Sequence, residues 1–267
     1  MNLQYMEISI GQIGLAAMLI LANGLISILL RLRLEKQLLI ASVRMVVQLF
    51  AIGLILKWVF AADKWYIVLA IMTVMTLIAG LSARNRSRIR YSGMQFDALF
   101  SIWIPSWLTM AIGLVLILRI QPWYSPQYVI PVLGMIMGNT LTGVSLGLDR
   151  ITSELTQRRD HVEMMLSLGA SGWEAYREAA QTAVRAGMMP TINSMMVIGL
   201  VSLPGMMTGQ ILAGQDPEQA IRYQILLMFL LTASSAIACV LAVLLVYRRV
   251  FSPQYNFLYW KLHESSK

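Results

Sequence analysis

Charge is the first thing this sequence is short of. Asp, Glu, Lys and Arg make up 13% of its 267 residues, where an ordinary soluble domain carries about 25%. Cysteine occurs once, at Cys239; this excludes an intramolecular disulfide, and its apolar neighbours give it no redox context. Histidine occurs twice, as His161 and His263. Both lie in polar stretches, so a His-rich metal site has nothing to be built from. None of the five lysines closes a Gly-x-x-x-x-Gly-Lys-Ser/Thr loop, so the chain offers no phosphate cradle of its own. Carboxylates are missing from the middle of the apolar runs, where Asp97 and Glu7 come nearest. This disfavours a self-sufficient ion-coupled carrier, which uses an ionisable group within a span. The same shortages exclude a secreted disulfide scaffold, a disordered tail and a conventional cytosolic enzyme.

Apolar sequence is what the chain has in excess: 58% of residues are hydrophobic and the mean hydropathy is +0.67. About 20 apolar residues cross a bilayer as a helix, and seven stretches qualify. They are Ile8–Leu30, Leu38–Phe60, Trp65–Leu81, Asp97–Leu118, Tyr128–Leu148, Ile192–Gly214 and Tyr223–Tyr247. Together they take up more than half of the chain, which leaves room for one membrane domain over 1–267 and no soluble catalytic domain. Lipid-facing segments must satisfy their own backbone groups, so the expected class is an all-α polytopic membrane protein. The first span is read as a true span: no base precedes it, no small-residue cleavage site follows, and Arg31, Arg33 and Lys36 stop it.

Basic residues set the orientation. One side collects Arg31, Arg33 and Lys36; Arg84, Arg86, Arg88 and Arg90; Arg150, Arg158, Arg159, Arg177 and Arg185; and Arg248, Arg249, Lys261 and Lys267. The other side has Lys57, Lys64, Arg119 and Arg222. Sixteen against four places the N-terminus outside and the C-terminus in the cytoplasm, at the cell inner (plasma) membrane. The net charge of +8 is then a topology signal rather than a nucleic-acid footprint.

One cytoplasmic connection, 149–189, is long and has a helical pattern of its own. Ile151, Leu155, Val162, Met165 and Leu166 recur on one face. Gly169 is placed to end that helix in a left-handed conformation. Ser171 and Glu174 read as a capping box that starts a second helix, with Trp173, Tyr176 and Ala180 on one face. Pro190 is placed to open the sixth span as its first helical residue. Such a pair is either a lever against a partner or an amphipathic pair lying in the interface.

Within the spans, Arg44 and Gln48 lie one turn apart on one face of span two. Arg44 either lines a pathway or locks subunits, or it snorkels to the headgroups. Pro131, Gly134, Gly138 and Asn139 in span five, and Pro204, Gly205 and Gly209 in span six, interrupt helical runs. They suit a gate or close helix packing, the latter also through Gly143 and Gly147. Met135, Met137, Met188, Met189, Met195, Met196, Met206 and Met207 cluster around the same two spans. Thioethers fill moving interfaces and are soft donors better suited to Cu(I) than to iron. Asn139, Asn193 and Gln210 are oxygen donors, too few for a hard cation within one chain. Asp216-Pro217-Glu218 reads as a helix start in an external elbow, or more remotely as a metal-capture pair.

Several of these residues carry a resemblance. Glu163-Met-Met-Leu-Ser-Leu-Gly169-Ala170-Ser171, followed by Pro190-Thr191-Ile192, resembles the coupling (EAA) loop of ATP-binding-cassette permeases. It departs from many importers at Val184 and Arg185, where Leu-Pro is usual. The runs Val129–Asn139 and Gly199–Gly209, the segment Asp216–Gln224, and the Arg44/Gln48 pair are similar to those of FetB-type (YbbM) permeases, a family of iron exporters related to plant aluminium-tolerance permeases. The resemblance implies a non-enzymatic permease subunit that exports a metal ion, iron by family, as a homodimer. ATP and Mg would be bound by a separate cytosolic ATPase. It implies coupling through Glu163, Leu168, Gly169, Ala170, Ser171 and Trp173. The implied pathway or gate comprises Arg44, Gln48, Pro131, Met135, Gly138, Asn139, Pro204, Gly205, Met206, Met207 and Gly209, with the metal ligands unknown. The alternative from another class is a seven-span receptor or scaffold that binds a cytosolic partner through 149–189.

Overall fold

A computed structural model of the chain describes residues 9–252 and 256–264. The expected start of the first span at Ile8, together with Glu7 and Lys267, lies outside them. The first helix, α1 (Ile10–Leu29), opens at Ser9, whose hydroxyl accepts from Gln12 N at 3.3 Å while the Gln12 side chain accepts from Ser9 N at 2.8 Å. It is joined to α2 (Glu35–Ala62) by a turn that Ser27 closes. The Ser27 hydroxyl donates to Glu35 Oε2 at 2.9 Å and accepts from Leu34 N at 3.0 Å. The pair forms one compact unit, with which Leu212–Gly214 is grouped; the rest of the chain from Trp65 onward forms a second. Only Ser27 and Val59 are buried in α1 and α2. Helices so apolar and so exposed suit a lipid environment.

In the second unit α5 (Pro126–Gln157) is the central helix. It packs against α3 (Trp65–Arg86), α4 (Met94–Ala111), α7 (Gly172–Val197) and α9 (Pro217–Val250). Leu133, Ile136, Val144, Leu148, Ile151 and Leu155, at three- to four-residue steps or multiples of them, form its fully buried stripe. Because lipid is as apolar as leucine, burial in a membrane yields little transfer energy, and close packing must hold the helices instead. The tightest place is where α5, α7 and α9 meet. A Cβ on Gly187 would stand 2.6 Å from Gly143 O and 2.7 Å from Cys239 Sγ. Hydroxyl contacts add to this: Thr140 and Ser234 share a hydrogen bond of 3.0 Å, and Trp107 Nε1 donates to Thr76 Oγ1 at 3.0 Å.

Six helices are long and apolar enough to cross a membrane among the described residues: α1, α2, α3, α4 with its π-helical continuation Ile112–Ile117, α5 and α9. The sixth expected span, Ile192–Gly214, is not one helix. Its first residues belong to α7, 198–204 is non-helical, and α8 (Gly205–Leu212) follows. Gly199 takes φ +84° and donates its N–H to Ser202 O at 2.9 Å; Leu203, preceding a proline, is steered away from helix. Pro190 does not open a span either. It sits inside α7, where buried Gly187 and Thr191 on either side hold the helix together despite one missing donor.

The connection after span five is also shorter than expected. The buried stripe continues through Ile151 and Leu155, so α5 runs past Leu148 to Gln157, and only α6 (Arg159–Ser167) is a separate helix. An unexpected element is a small antiparallel ribbon, β1 (Ile89–Tyr91) with β2 (Leu262–Glu264), in which Tyr91 faces Leu262. It ties the C-terminal tail to the turn between α3 and α4.

Candidate functional site

The corner between α6 and α7 forms as its residues dictate. Leu168 N donates to Met164 O and Ala170 N to Met165 O, both at 3.0 Å, while Gly169 takes φ +93°. Only glycine adopts that conformation without strain. Ser171 then caps α7: its hydroxyl accepts from Glu174 N at 3.3 Å, and Glu174 Oε2 accepts from Ser171 N at 2.8 Å and from its hydroxyl at 2.7 Å. These bonds, the one from the Ser171 side chain foremost, hold the Glu174 carboxyl below its ordinary range. Leu168, at the tip, is 77% exposed.

Glu163 faces the same corner, paired with Arg159 Nε at 2.7 Å. The Arg159 guanidinium lies 4.3 Å from the centre of the Tyr259 ring, within cation–π range. Between corner and tail runs an open groove of about 660 Å³. Glu163, Leu166, Gly169 and Ala170 line one wall, and Asn256, Phe257, Leu258 and Trp260 the other. The structure thus brings together Glu163, Gly169 and Ala170, with Leu168 and Ser171 beside them. Trp173 points elsewhere, into a ring cluster: it meets Tyr247 edge-on at 5.5 Å and Tyr176 at 5.9 Å. Tyr176 is fully buried and donates its hydroxyl to Val243 O at 2.7 Å. Trp173 therefore anchors α7 on α9.

Sequence reasoning missed three features. The tail wall has no internal pattern to announce it. Glu154, a charged residue between the apolar positions Ile151 and Leu155, is buried and paired with Arg150 at 2.6 Å and Arg158 at 3.2 Å. Arg158 also pairs with Glu178, tying the end of α5 to α7. Asp97 is not a span-end residue in headgroups; it is buried in the first turn of α4 and bound by Arg249.

The expected pathway residues are not gathered into one cavity. Arg44 and Gln48 are exposed on α2, in the first unit. On α5, Pro131 and Gly138 are exposed, while Met135 and Asn139 are half-buried, with Asn139 Nδ2 donating to Met135 O at 3.2 Å. A Cβ on Gly138, Gly205 or Gly209 would meet nothing within 4 Å, so these glycines make no close crossing in the single chain, unlike Gly143. Beside Pro204 and buried Met207 lies a separate cavity of about 500 Å³. Its walls come from α7, α8, the break between them and α9, with nothing from Pro131–Asn139; Gly205, Met206 and Gly209 are not among them. Asp216 caps α9 by accepting from Gln219 N at 3.2 Å, and Glu218 pairs with Arg222. Both carboxylates of the elbow are thereby engaged. Among the described residues no three His, Cys, Asp or Glu side chains cluster to hold a metal.

A family model described as an uncharacterised protein family, UPF0014, matches residues 10–251. The chain belongs to the UPF0014 family. Among its UPF0014 relatives is the membrane protein slr1647 of Synechocystis, 38% identical over 93% of each chain. The "Probable iron export permease protein FetB" of Escherichia coli is 34% identical, over 94% of this chain and 95% of that one. The UPF0014 membrane protein STAR2 of rice is 32% identical, over 83% of this chain and 76% of its own length. The resemblance to FetB-type and plant proteins read from the motifs is therefore a family relationship. No solved structure matches the chain.

Proposed function

We propose that this UPF0014 protein is the membrane subunit of an ATP-binding-cassette transporter. It works as a homodimer with two copies of a separate cytosolic ATPase and exports a metal ion, iron by likeness to the FetB protein. The observation that carries the reading is the α6–α7 corner. An exposed leucine at a glycine-determined turn stands over a groove, rigidly capped on one side by Ser171 and braced on the other by the Glu154, Arg158 and Glu178 network. Residues so fixed transmit a push rather than absorb it. The distribution of bases puts this corner on the cytoplasmic side, where a nucleotide-driven partner would meet it.

In this reading the end of α7, the non-helical 198–204 stretch and α8 together make the sixth of seven crossings as a broken helix. ATP-driven closure of the partner would press on 163–187 and tilt α7 and α8 against α5, alternating access around Pro131–Asn139 and Ser202–Gly209. Asn139, Gly138 and Arg44, exposed or half-exposed in the single chain, would face the second copy or the pathway. Support for a borrowed energy source is the lack of any phosphate loop in the sequence.

The test is reconstitution in vesicles with a candidate ATP-binding-cassette ATPase from the same organism. The expected result is ATP-dependent metal movement that neither protein supports alone. ATP hydrolysis by the purified chain alone, or failure of residues 163–173 to cross-link to the ATPase, would overturn the reading.

A further inference from the structure

The cavity beside the α7–α8 break has a donor set that the transport mechanism above does not use. Met195 from α7, Met207 from α8 and Met228 from α9 line it, as does Gln224, also from α9. Leu203 and Pro204 of the break form part of the wall. Three consecutive helical segments therefore each bring one thioether to a single space of about 500 Å³.

Two details distinguish this from methionines used as filling. Gln224 is only 8% exposed, and its side-chain oxygen is buried without a hydrogen-bond partner. A buried amide oxygen left unsatisfied in an apolar surrounding is costly, and a ligand that it could coordinate removes the cost. Second, Met195 is held in place: Thr232 Oγ1 lies 3.0 Å from its sulfur, while the same hydroxyl reaches Met228 O at 2.7 Å.

We propose that this cavity binds a soft monovalent cation, Cu(I) or Ag(I), through the thioethers of Met195, Met207 and Met228 and the amide oxygen of Gln224. Thioether sulfur prefers soft, polarisable ions over Fe(II), Mg(II) or Ca(II). Charge argues the same way. No Asp, Glu or other anionic side chain lines the cavity, and the cost of desolvating an ion grows with the square of its charge, so an uncharged donor set selects the lower charge. The break supplies an entry: Gly199, at φ +84°, lines the cavity, and Leu200 and Val201 next to it are almost fully exposed. The site stands whether or not an ATPase drives the chain, so binding is measured on this protein alone.

The full chain, purified in detergent, is titrated with silver nitrate in chloride-free buffer and with Cu(I) held reduced by ascorbate, each in competition with a chromogenic Cu(I) chelator. One equivalent per chain is expected, at least tenfold tighter than in the Met195→Leu/Met207→Leu/Met228→Leu variant. Leucine conserves side-chain volume, and the same change at Met45, Met72 and Met94 serves as control and should leave the equivalent in place. Gln224→Leu should weaken binding severalfold, and Mn(II), a hard divalent ion that does not reduce Ag(I), should not displace it. In case the triple variant does not fold, the wild-type chain is oxidised with peroxide in the presence and absence of Ag(I). Met195, Met207 and Met228 should be protected and Met45 not. Retention of the equivalent in a folded triple variant, displacement by Mn(II) at equal concentration, or no selective protection would each overturn the proposal. So would an electron-density map with the cavity filled by a lipid or detergent chain in the presence of Ag(I).

Discussion

The Arg249 guanidinium donates to both oxygens of the Asp97 carboxylate, from Nε at 3.2 Å and from Nη2 at 3.1 Å. This pair joins the last turn of α9 to the first turn of α4. The geometry is tight: Gly93, at φ +90°, lies so close that a Cβ there would stand 3.0 Å from the guanidinium carbon. The Arg249 carbonyl also accepts from Lys261 Nζ at 3.3 Å, so one residue fixes both a helix and the tail that walls the groove.

The pair is asymmetric, with the Asp97 side chain 5% exposed and that of Arg249 47%. Asp97→Asn should cost about 1–2 kcal/mol, since the freed arginine can turn to water. Arg249→Met should cost more, about 2–4 kcal/mol, because it strands a buried carboxylate. Thermal unfolding in detergent compares the two, and equal losses would show that the pair is not held as described.

The α5–α7–α9 crossing gives a second contrast. Gly187→Ala places a methyl against backbone oxygen and sulfur, and should destabilise the chain by about 1–3 kcal/mol. Gly138→Ala, with open space around it, should change stability by less than about 0.5 kcal/mol. Both are read from the same unfolding curves. A neutral Gly187→Ala would mean that the helices stand further apart.

Acid should loosen the start of α7. The Glu174 carboxyl sits below its ordinary value of 4.5 because the Ser171 hydroxyl and backbone bond its ionised form. A depressed folded value means that the cap contributes fully above pH 4.5 and is lost as pH falls through the lower folded value. Amide exchange at Trp173–Tyr176, corrected for intrinsic rates, should accelerate over that range. Glu174→Gln, which keeps a cap but cannot titrate, should flatten the dependence.

At the α6–α7 corner, Gly169→Val forces a β-branched residue into a left-handed conformation, at a local cost of about 1–3 kcal/mol. The chain should still insert in the membrane, and under the proposed function ATP hydrolysis by the ATPase subunit should continue while flux falls severalfold. Flux and hydrolysis measured on the same vesicles decide this, and unchanged, coupled flux would count against the corner as a lever.

Sequence periodicity reached far where a rule acts over neighbouring residues. Ser171 with Glu174, Gly169, and Asp216 with Pro217 each specify a helix end through bonds no more than a few residues long, and each end lies where the sequence places it. Where the reading went astray, the deciding contact came from elsewhere. Pro190 looks like a helix start by itself, yet α7 passes through it between the buried Gly187 and Thr191. Asp97 looks solvated until Arg249, 152 positions away, is folded onto it.

By itself, then, the string of residues determined that this is a helical membrane protein of the UPF0014 family with a capped corner at Gly169. Those properties follow from composition, from hydrogen bonds between near neighbours and from motifs that need no folding to be read. Only the tertiary structure decided that the C-terminal tail walls the groove, that Gly143 rather than Gly138 lies at the close crossing, and that methionines from three helical segments share one cavity with Gln224. Each of these joins residues of different elements, and in lipid, where apolar burial favours no particular partner, it is shape and polar pairing between helices that selects them.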